Sequence, residues 1–277
     1  MAPTHTTALT GVDTHAHIFD QSLPLADNRR YSPDYDATIM AYLGHLDRCG
    51  LSHGVLVQPS FLGTDNGHMV AALRRFPQRL RGTAVVERDV SDDALDALGE
   101  AGVVAIRLNL VGQPLADYRS PAWQALFAKI ARRGWSVEIQ RGMEDLDVIV
   151  PQVLKAGVAV VIDHFGLPNG EIDPVNPHHQ ALLSLLSSED IWVKLSATYR
   201  SRSNPDQARS SIERLRDAYG HSDRLLWGSD WPHTRFETQT DYDAQFALMQ
   251  TLLPDAAERQ RVLIDNPATL FKIDRTA

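Results

Sequence analysis

The feature that most restricts what this chain can fold into is an alternation. From the N-terminus onward, short apolar runs rich in β-branched residues recur, each followed by a loop and then by a longer segment with helical spacing. The runs fall at 11–17, 54–59, 80–86, 103–108, 136–140, 159–163, 191–195 and 225–229. The helical patterns fall at 38–49, 64–75, 91–100, 121–133, 145–155, 179–186, 205–219 and 242–253. Parallel strands need a crossover long enough to hold a helix, so this order of elements predicts βα units around a parallel sheet. About eight strands is the number that closes a TIM (β/α)8 barrel.

Local signals support the alternation. Gly50 follows the first helical pattern, Ser120-Pro121 opens the fourth, Gly134 closes it and Gly220 closes the seventh. A last helix is expected over 255–263, and the turn Asn266-Pro267 leads into a short helix that packs back on the body. With 277 residues and no repeat, low-complexity tract or flexible linker, the chain reads as a single α/β domain over 11–277 behind a loose polar leader over 1–10. The longest irregular segments, 20–36 and 165–177, follow candidate site strands, and long loops in compact domains are usually functional.

Composition narrows the partners. A net charge of −8 argues against nucleic acid and against an anionic membrane surface, and it requires any anionic substrate to be met by locally placed arginines. The leader lacks the cationic and apolar regions of a signal peptide, and no apolar run is long enough to span a bilayer. The lone Cys49 precludes an internal disulfide framework and reads as core packing; together these features predict a cytoplasmic protein, monomeric or a small homo-oligomer.

If the strands close a barrel, their C-terminal ends build the site. In Asp13-Thr14-His15-Ala16-His17, strand alternation puts His15 and His17 on one face with Asp13 beneath them. Two imidazoles at one point either ligate a metal or polarise a carbonyl. Other strand ends supply Ser60, Arg107, Glu138, Asp163-His164, Lys194 with Ser196, Tyr199 and Arg200, and Asp230. Taken singly, His164 reads as a structural histidine, Asp230 as a turn before Trp231-Pro232, and Lys194 as a rim residue covering apolar surface. Arg107 is harder to dismiss, because a strand arginine is rarely buried without a partner. Taken jointly, a barrel aims them at one cavity. There Asp230 is suited to remove a proton from water, while the histidines or a metal meet charge on a carbonyl oxygen.

These residues carry a resemblance. Asp13-Thr14-His15-Ala16-His17, Ile162-Asp163-His164-Phe165-Gly166, Trp192-Val193-Lys194-Leu195-Ser196 and Gly228-Ser229-Asp230-Trp231-Pro232-His233 resemble the amidohydrolase superfamily. More narrowly, with Gln58-Pro59-Ser60 and Gly63-Thr64-Asp65-Asn66, they are similar to the 2-pyrone-4,6-dicarboxylate lactonases and related muconolactone and sugar-lactone hydrolases. The resemblance implies a distorted TIM barrel that hydrolyses a small anionic lactone. It makes Asp230 the base on water and His15, His17 and His164 the carbonyl-polarising groups. It makes Arg107, Arg200, Ser60, Tyr31, Tyr199, Gln113 and Lys194 candidates to hold the substrate.

Two departures qualify it. Metal-dependent relatives place a His or modified Lys on the fifth strand, where this chain has Glu138-Ile139-Gln140, so no cofactor is expected. A single zinc on His15, His17 and Asp230, with Glu138 or His164, is the alternative by ligand type. Leu167 and Gln113 stand where the resemblance leads one to expect arginines, which favours a less highly charged lactone. A decarboxylase or lactone isomerase on the same scaffold is the competing activity.

Overall fold

The computed structural model describes residues 8–27 and 29–275; most of the leader expected over 1–10 lies outside them. Eight strands pair in chain order in one all-parallel sheet: β1 (Val12–Ala16), β2 (His53–Val57), β3 (Leu80–Ala84), β4 (Val103–Asn109), β5 (Ser136–Gln140), β6 (Ala159–Ile162), β7 (Ile191–Leu195) and β8 (Leu225–Trp227). The ring closes where the chain leaving β8 returns to β1. Thr14 Oγ1 donates to Trp227 O at 2.7 Å, Asp230 N to His15 O at 2.8 Å, and His17 N to Trp231 O at 2.7 Å. This is the expected TIM barrel.

The strand ends differ from expectation for a reason. His17, Pro59, Asp163 and Ser229 were expected to finish strands, but each lies just past the last ladder residue, in a loop facing the barrel mouth. Likewise β3 stops at Ala84 because the Asn66 side chain replaces the ladder, accepting from Val85 N and donating to Val85 O.

The helices α1 (Ile39–Arg48), α2 (Gly67–Arg75), α3 (Asp92–Glu100), α4 (Pro121–Arg132), α5 (Met143–Leu154), α6 (Pro177–Leu183), α7 (Pro205–Tyr219) and α8 (Tyr242–Leu252) wrap the barrel. Their starts follow capping chemistry: Thr38, Ser91, Asn176, Asn204 and Asp241 each accept a backbone N–H of the first turn. The final pattern, expected as one helix over 255–263, is α9 (Ala256–Gln260) running through a wide π turn into α10 (Asn266–Leu270).

Two apolar layers hold the fold. The larger lies between strands and helices and includes Leu56, Ile106, Val137, Leu126 and Ile212. The smaller comprises Val12, Val55, Val104, Val161 and Leu226, packed with Phe271 and Ile273 from the C-terminal segment. Burying each such side chain stabilises the fold by roughly 1.5–3 kcal/mol, which is why the chain end is tied to the body. Among the described residues no helix is long and apolar enough to cross a membrane.

Candidate active site

The site begins with an irregularity in β1. Its pairing with β2 steps from Asp13 opposite Gly54 to Ala16 opposite Leu56, so three residues advance against two and the pleat is displaced. Asp13 consequently does not lie beneath the histidines as expected. Its carboxylate accepts from Ser229 N at 2.8 Å, Ser229 Oγ at 2.6 Å, His15 N at 3.1 Å and Tyr242 OH at 3.2 Å. It is a buried strut between β1, the β8 loop and α8, and burial pushes its pKa up to about 6. Gly228 permits the close approach of the two strands, since a Cβ there would stand 2.5 Å from His15 Cβ.

His15 and His17 do converge, with ring centroids 5.0 Å apart, and His164 lies 4.8 Å from His15. Asp230 completes the group: its Oδ1 is 3.7 Å from His15 Nε2, 3.7 Å from His17 Nε2 and 3.8 Å from His164 Nε2. Among the described residues, Oδ1 and the Nε2 atoms of His15 and His164 are buried and have no hydrogen-bond partner. His164 (φ 52°) and Asp230 (φ 59°) are held in the left-handed region. That conformation costs non-glycine residues about 1–3 kcal/mol and concentrates at functional sites.

Asp230 Oδ2 accepts from Arg200 Nε at 2.6 Å and Tyr199 OH at 2.5 Å. Burial opposes ionisation of Asp230, yet the Arg200 guanidinium holds its carboxyl far below the usual range. Burial pushes His15 well down, His17 to about 3 and His164 to about 4, so all three are neutral imidazoles at pH 7. His17 Nδ1 lies 2.7 Å from Val57 O, an acceptor only, so Nδ1 carries the hydrogen and Nε2 presents a lone pair to Asp230. Neutral His17 therefore accepts at the centre, where it was expected to donate to a carbonyl. His164 Nδ1 lies 2.8 Å from Ser196 Oγ, which can take either role.

Behind His15 lies a wholly buried ionic cluster. Lys194 Nζ is 2.5 Å from Glu138 Oε2 and 3.5 Å from Asp163 Oδ1, and Arg107 donates to Asp163 Oδ2 from Nε at 2.9 Å and Nη2 at 2.8 Å. Lys194 was expected to hold substrate, but its side chain is fully enclosed and spent on this cluster. Glu138 was a possible metal ligand; it lies on the Nδ1 side of His15, 3.4 Å away, whereas Asp230 faces Nε2. By ligand type and spacing, His15, His17 and Asp230 form a group that could hold one metal ion, as do His15, Asp163 and His164.

Above the centre opens a cavity of about 220 Å³ walled by Asp230, His17 and the expected Arg107, Arg200, Ser60 and Tyr31. Tyr199 stands behind Asp230, and its oxygen accepts from His233 Nδ1 at 3.0 Å. Gln113 is directed to an adjoining groove, and its backbone carbonyl accepts from Arg141. Leu167 contributes an apolar wall. The sequence reading missed Arg30 and Arg235, which line the same cavity from the loops after β1 and β8. Their only sequence signal was their place in loops that follow site strands. Burial, and then the proximity of Arg107, Arg235 and Arg200, lowers the pKa of Arg30, so four guanidiniums share one space. Tyr31 and Tyr35 both donate to Glu237 Oε1 at 2.8 Å and tie the two loops together.

A cavity at the strand ends of a TIM barrel, floored by a carboxylate among three imidazoles, marks the chain as a barrel enzyme acting on a small molecule. The amidohydrolase family model matches residues 12–273, and the chain belongs to that family, in its lactonase branch. It is 29% identical over 273 residues to a 2-pyrone-4,6-dicarboxylate hydrolase of Comamonas testosteroni, covering 94% of this chain and 89% of that one. A crystal structure from Acinetobacter baumannii, described as a probable 2-pyrone-4,6-dicarboxylic acid hydrolase with citric acid bound, superposes with a TM-score of 0.91. The identity is 36%, over 95% of this chain and 100% of that one. A more distant amidohydrolase from Burkholderia multivorans, 18% identical with a TM-score of 0.78 over 96% of this chain and 100% of its own, shares the fold and holds zinc.

Proposed function

We propose that this chain hydrolyses a small lactone bearing more than one acidic group, of the 2-pyrone-4,6-dicarboxylate, muconolactone or sugar-acid lactone class. One observation carries the reading: Asp230 Oδ1 and His17 Nε2, two lone-pair acceptors 3.7 Å apart, face a cavity that four guanidiniums line. Arginine pairs its planar fork with carboxylates, and Arg30 and Arg235 offset the arginines missing at Leu167 and Gln113. The same chemistry suits the anionic lactones that the relatives' names describe.

In this mechanism water donates its hydrogens to Asp230 Oδ1 and His17 Nε2, which leaves an oxygen lone pair for the lactone carbonyl carbon. The new C–O bond pushes the carbonyl electrons onto oxygen. His15 and His164 meet that charge from Nε2–H, His164 with the Ser196 hydroxyl donating to its Nδ1. Asp230 takes the proton of the attacking water. Collapse of the tetrahedral intermediate breaks the ring C–O bond, and the proton passes from Asp230 to the departing ring oxygen, giving the open acid.

This reading carries no resident metal. A tetrahedral zinc with bonds of about 2.0–2.1 Å spaces its ligand atoms about 3.4 Å apart, close to the spacing seen. The hydrogens argue against it: with the Lys194 ammonium 3.1 Å from His15 Nδ1, the ring hydrogen belongs on Nε2, which then has no lone pair to give. A panel of pyrone dicarboxylate, muconolactones and aldonolactones, read by acid release, tests the proposal. Carbon dioxide release would establish the decarboxylase alternative, and lactone conversion without acid the isomerase.

A further inference from the structure

Lys194 is the only fully buried lysine among the described residues. An ammonium has three N–H donors and no acceptor. Around Nζ stand Glu138 Oε2 at 2.5 Å and His15 Nδ1 at 3.1 Å, within hydrogen-bond reach, and Asp163 Oδ1 at 3.5 Å as a longer ion-pair contact. If Nδ1 carried the hydrogen, two donors would oppose each other at 3.1 Å in a space closed to water, and one ammonium hydrogen would lose its acceptor. The rival acceptors for an Nδ1–H, Asp163 Oδ1 at 3.3 Å and Glu138 Oε1 at 3.4 Å, lie farther from Nδ1 than the ammonium does.

We propose that Lys194 is a positioning residue whose ammonium fixes His15 as the Nε2–H tautomer, supplying a hydrogen-bond donor to the substrate carbonyl and denying the His15 lone pair to a metal ion. The role of the donor rests on the lactonase reading; the tautomer does not. His15 and His17 then differ although they share a motif. The Val57 carbonyl turns the lone pair of His17 inward, and the Lys194 ammonium turns the lone pair of His15 outward. Glu138, at the fifth-strand position, holds the ammonium in place.

The test is the side-chain nitrogen spectrum of the ¹⁵N-labelled full chain at pH 7, with His15 assigned by loss of its signals in His15→Gln. The expected result is hydrogen on His15 Nε2 and on His17 Nδ1; hydrogen on His15 Nδ1 overturns the proposal. The wild-type spectrum decides this whether or not any variant at Lys194 folds. Lys194→Met, or Lys194→Met with Glu138→Gln to remove both charges, should move hydrogen to Nδ1 and tighten zinc binding by calorimetry at least about tenfold. It should also lower kcat more than it changes KM, while Lys194→Arg, which retains a donor, restores the tautomer. Equal zinc affinity in wild type and a folded Lys194→Met variant also overturns it. Failure of the lactone panel with the predicted tautomer present would instead remove the proposed substrate.

Discussion

Arg200 Nε lies 2.6 Å from Asp230 Oδ2, and both side chains line the cavity. The arginine thus anchors the carboxylate and leaves Oδ1 as the free oxygen among the imidazoles. It also faces the space a substrate would occupy. One guanidinium touches both the proposed base and the cavity wall, so variants of the two residues should not behave alike.

Asp230→Asn keeps the shape but removes the proton acceptor. Lactone turnover should fall about a hundred- to ten-thousandfold, with the circular dichroism spectrum preserved. Near-wild-type turnover would falsify the assignment of Asp230 as base.

Arg30 and Arg235 are loop residues whose side chains line the cavity. Arg30→Ala and Arg235→Ala should each raise KM for a doubly charged lactone roughly ten- to hundredfold, the worth of one charge-assisted hydrogen bond, with kcat little changed. Arg200→Met should lower kcat as well, because it also releases Asp230. Steady-state kinetics on mono- and dianionic lactones separates the two patterns.

Exhaustive chelation should leave the rate of the wild-type protein unchanged, and elemental analysis should find no stoichiometric metal. A stoichiometric ion whose removal abolishes hydrolysis would transfer carbonyl activation from the His15 hydrogen to that ion.

Stability should decline in acid. His17 (about 3) and His53, His164 and His233 (each about 4) all lie below the usual 6.5, chiefly through burial. A depressed histidine favours folding above its unfolded pKa, and this contribution is lost as pH falls through its folded pKa, because the unfolded chain takes up the proton first. Asp13 (about 6) and Glu138 (about 8), raised by burial, act in the opposite sense but are fewer. Melting temperature measured between pH 6.5 and 4 should therefore fall with pH; a rise would show that the carboxyls dominate.

Much of this was legible in the sequence. β5 and β7 have the expected bounds, and α7 runs from Pro205 to Tyr219 as expected, ending at the Gly220 stop. These features are local: apolar periodicity, capping and turn chemistry act over a few residues, so a linear reading reaches them. His15, His17, His164 and Asp230, expected to face one cavity, do lie together at the barrel mouth, because barrel geometry brings strand ends to one face.

What the sequence could not assign was direction. Asp13 and Lys194 stand in the same motifs as site residues, yet a register step in β1 turns Asp13 toward Ser229, and Glu138, fifty-six positions before Lys194, draws the lysine behind His15. Arg30 and Arg235 are neighbours only because the loops after the first and last strands meet at barrel closure. The chain alone determined the barrel and the residue types at its mouth. The tertiary structure decided which atoms donate, which accept and which guanidiniums share the cavity, because hydrogen-bond roles are set by partners remote in sequence and not by the residue itself.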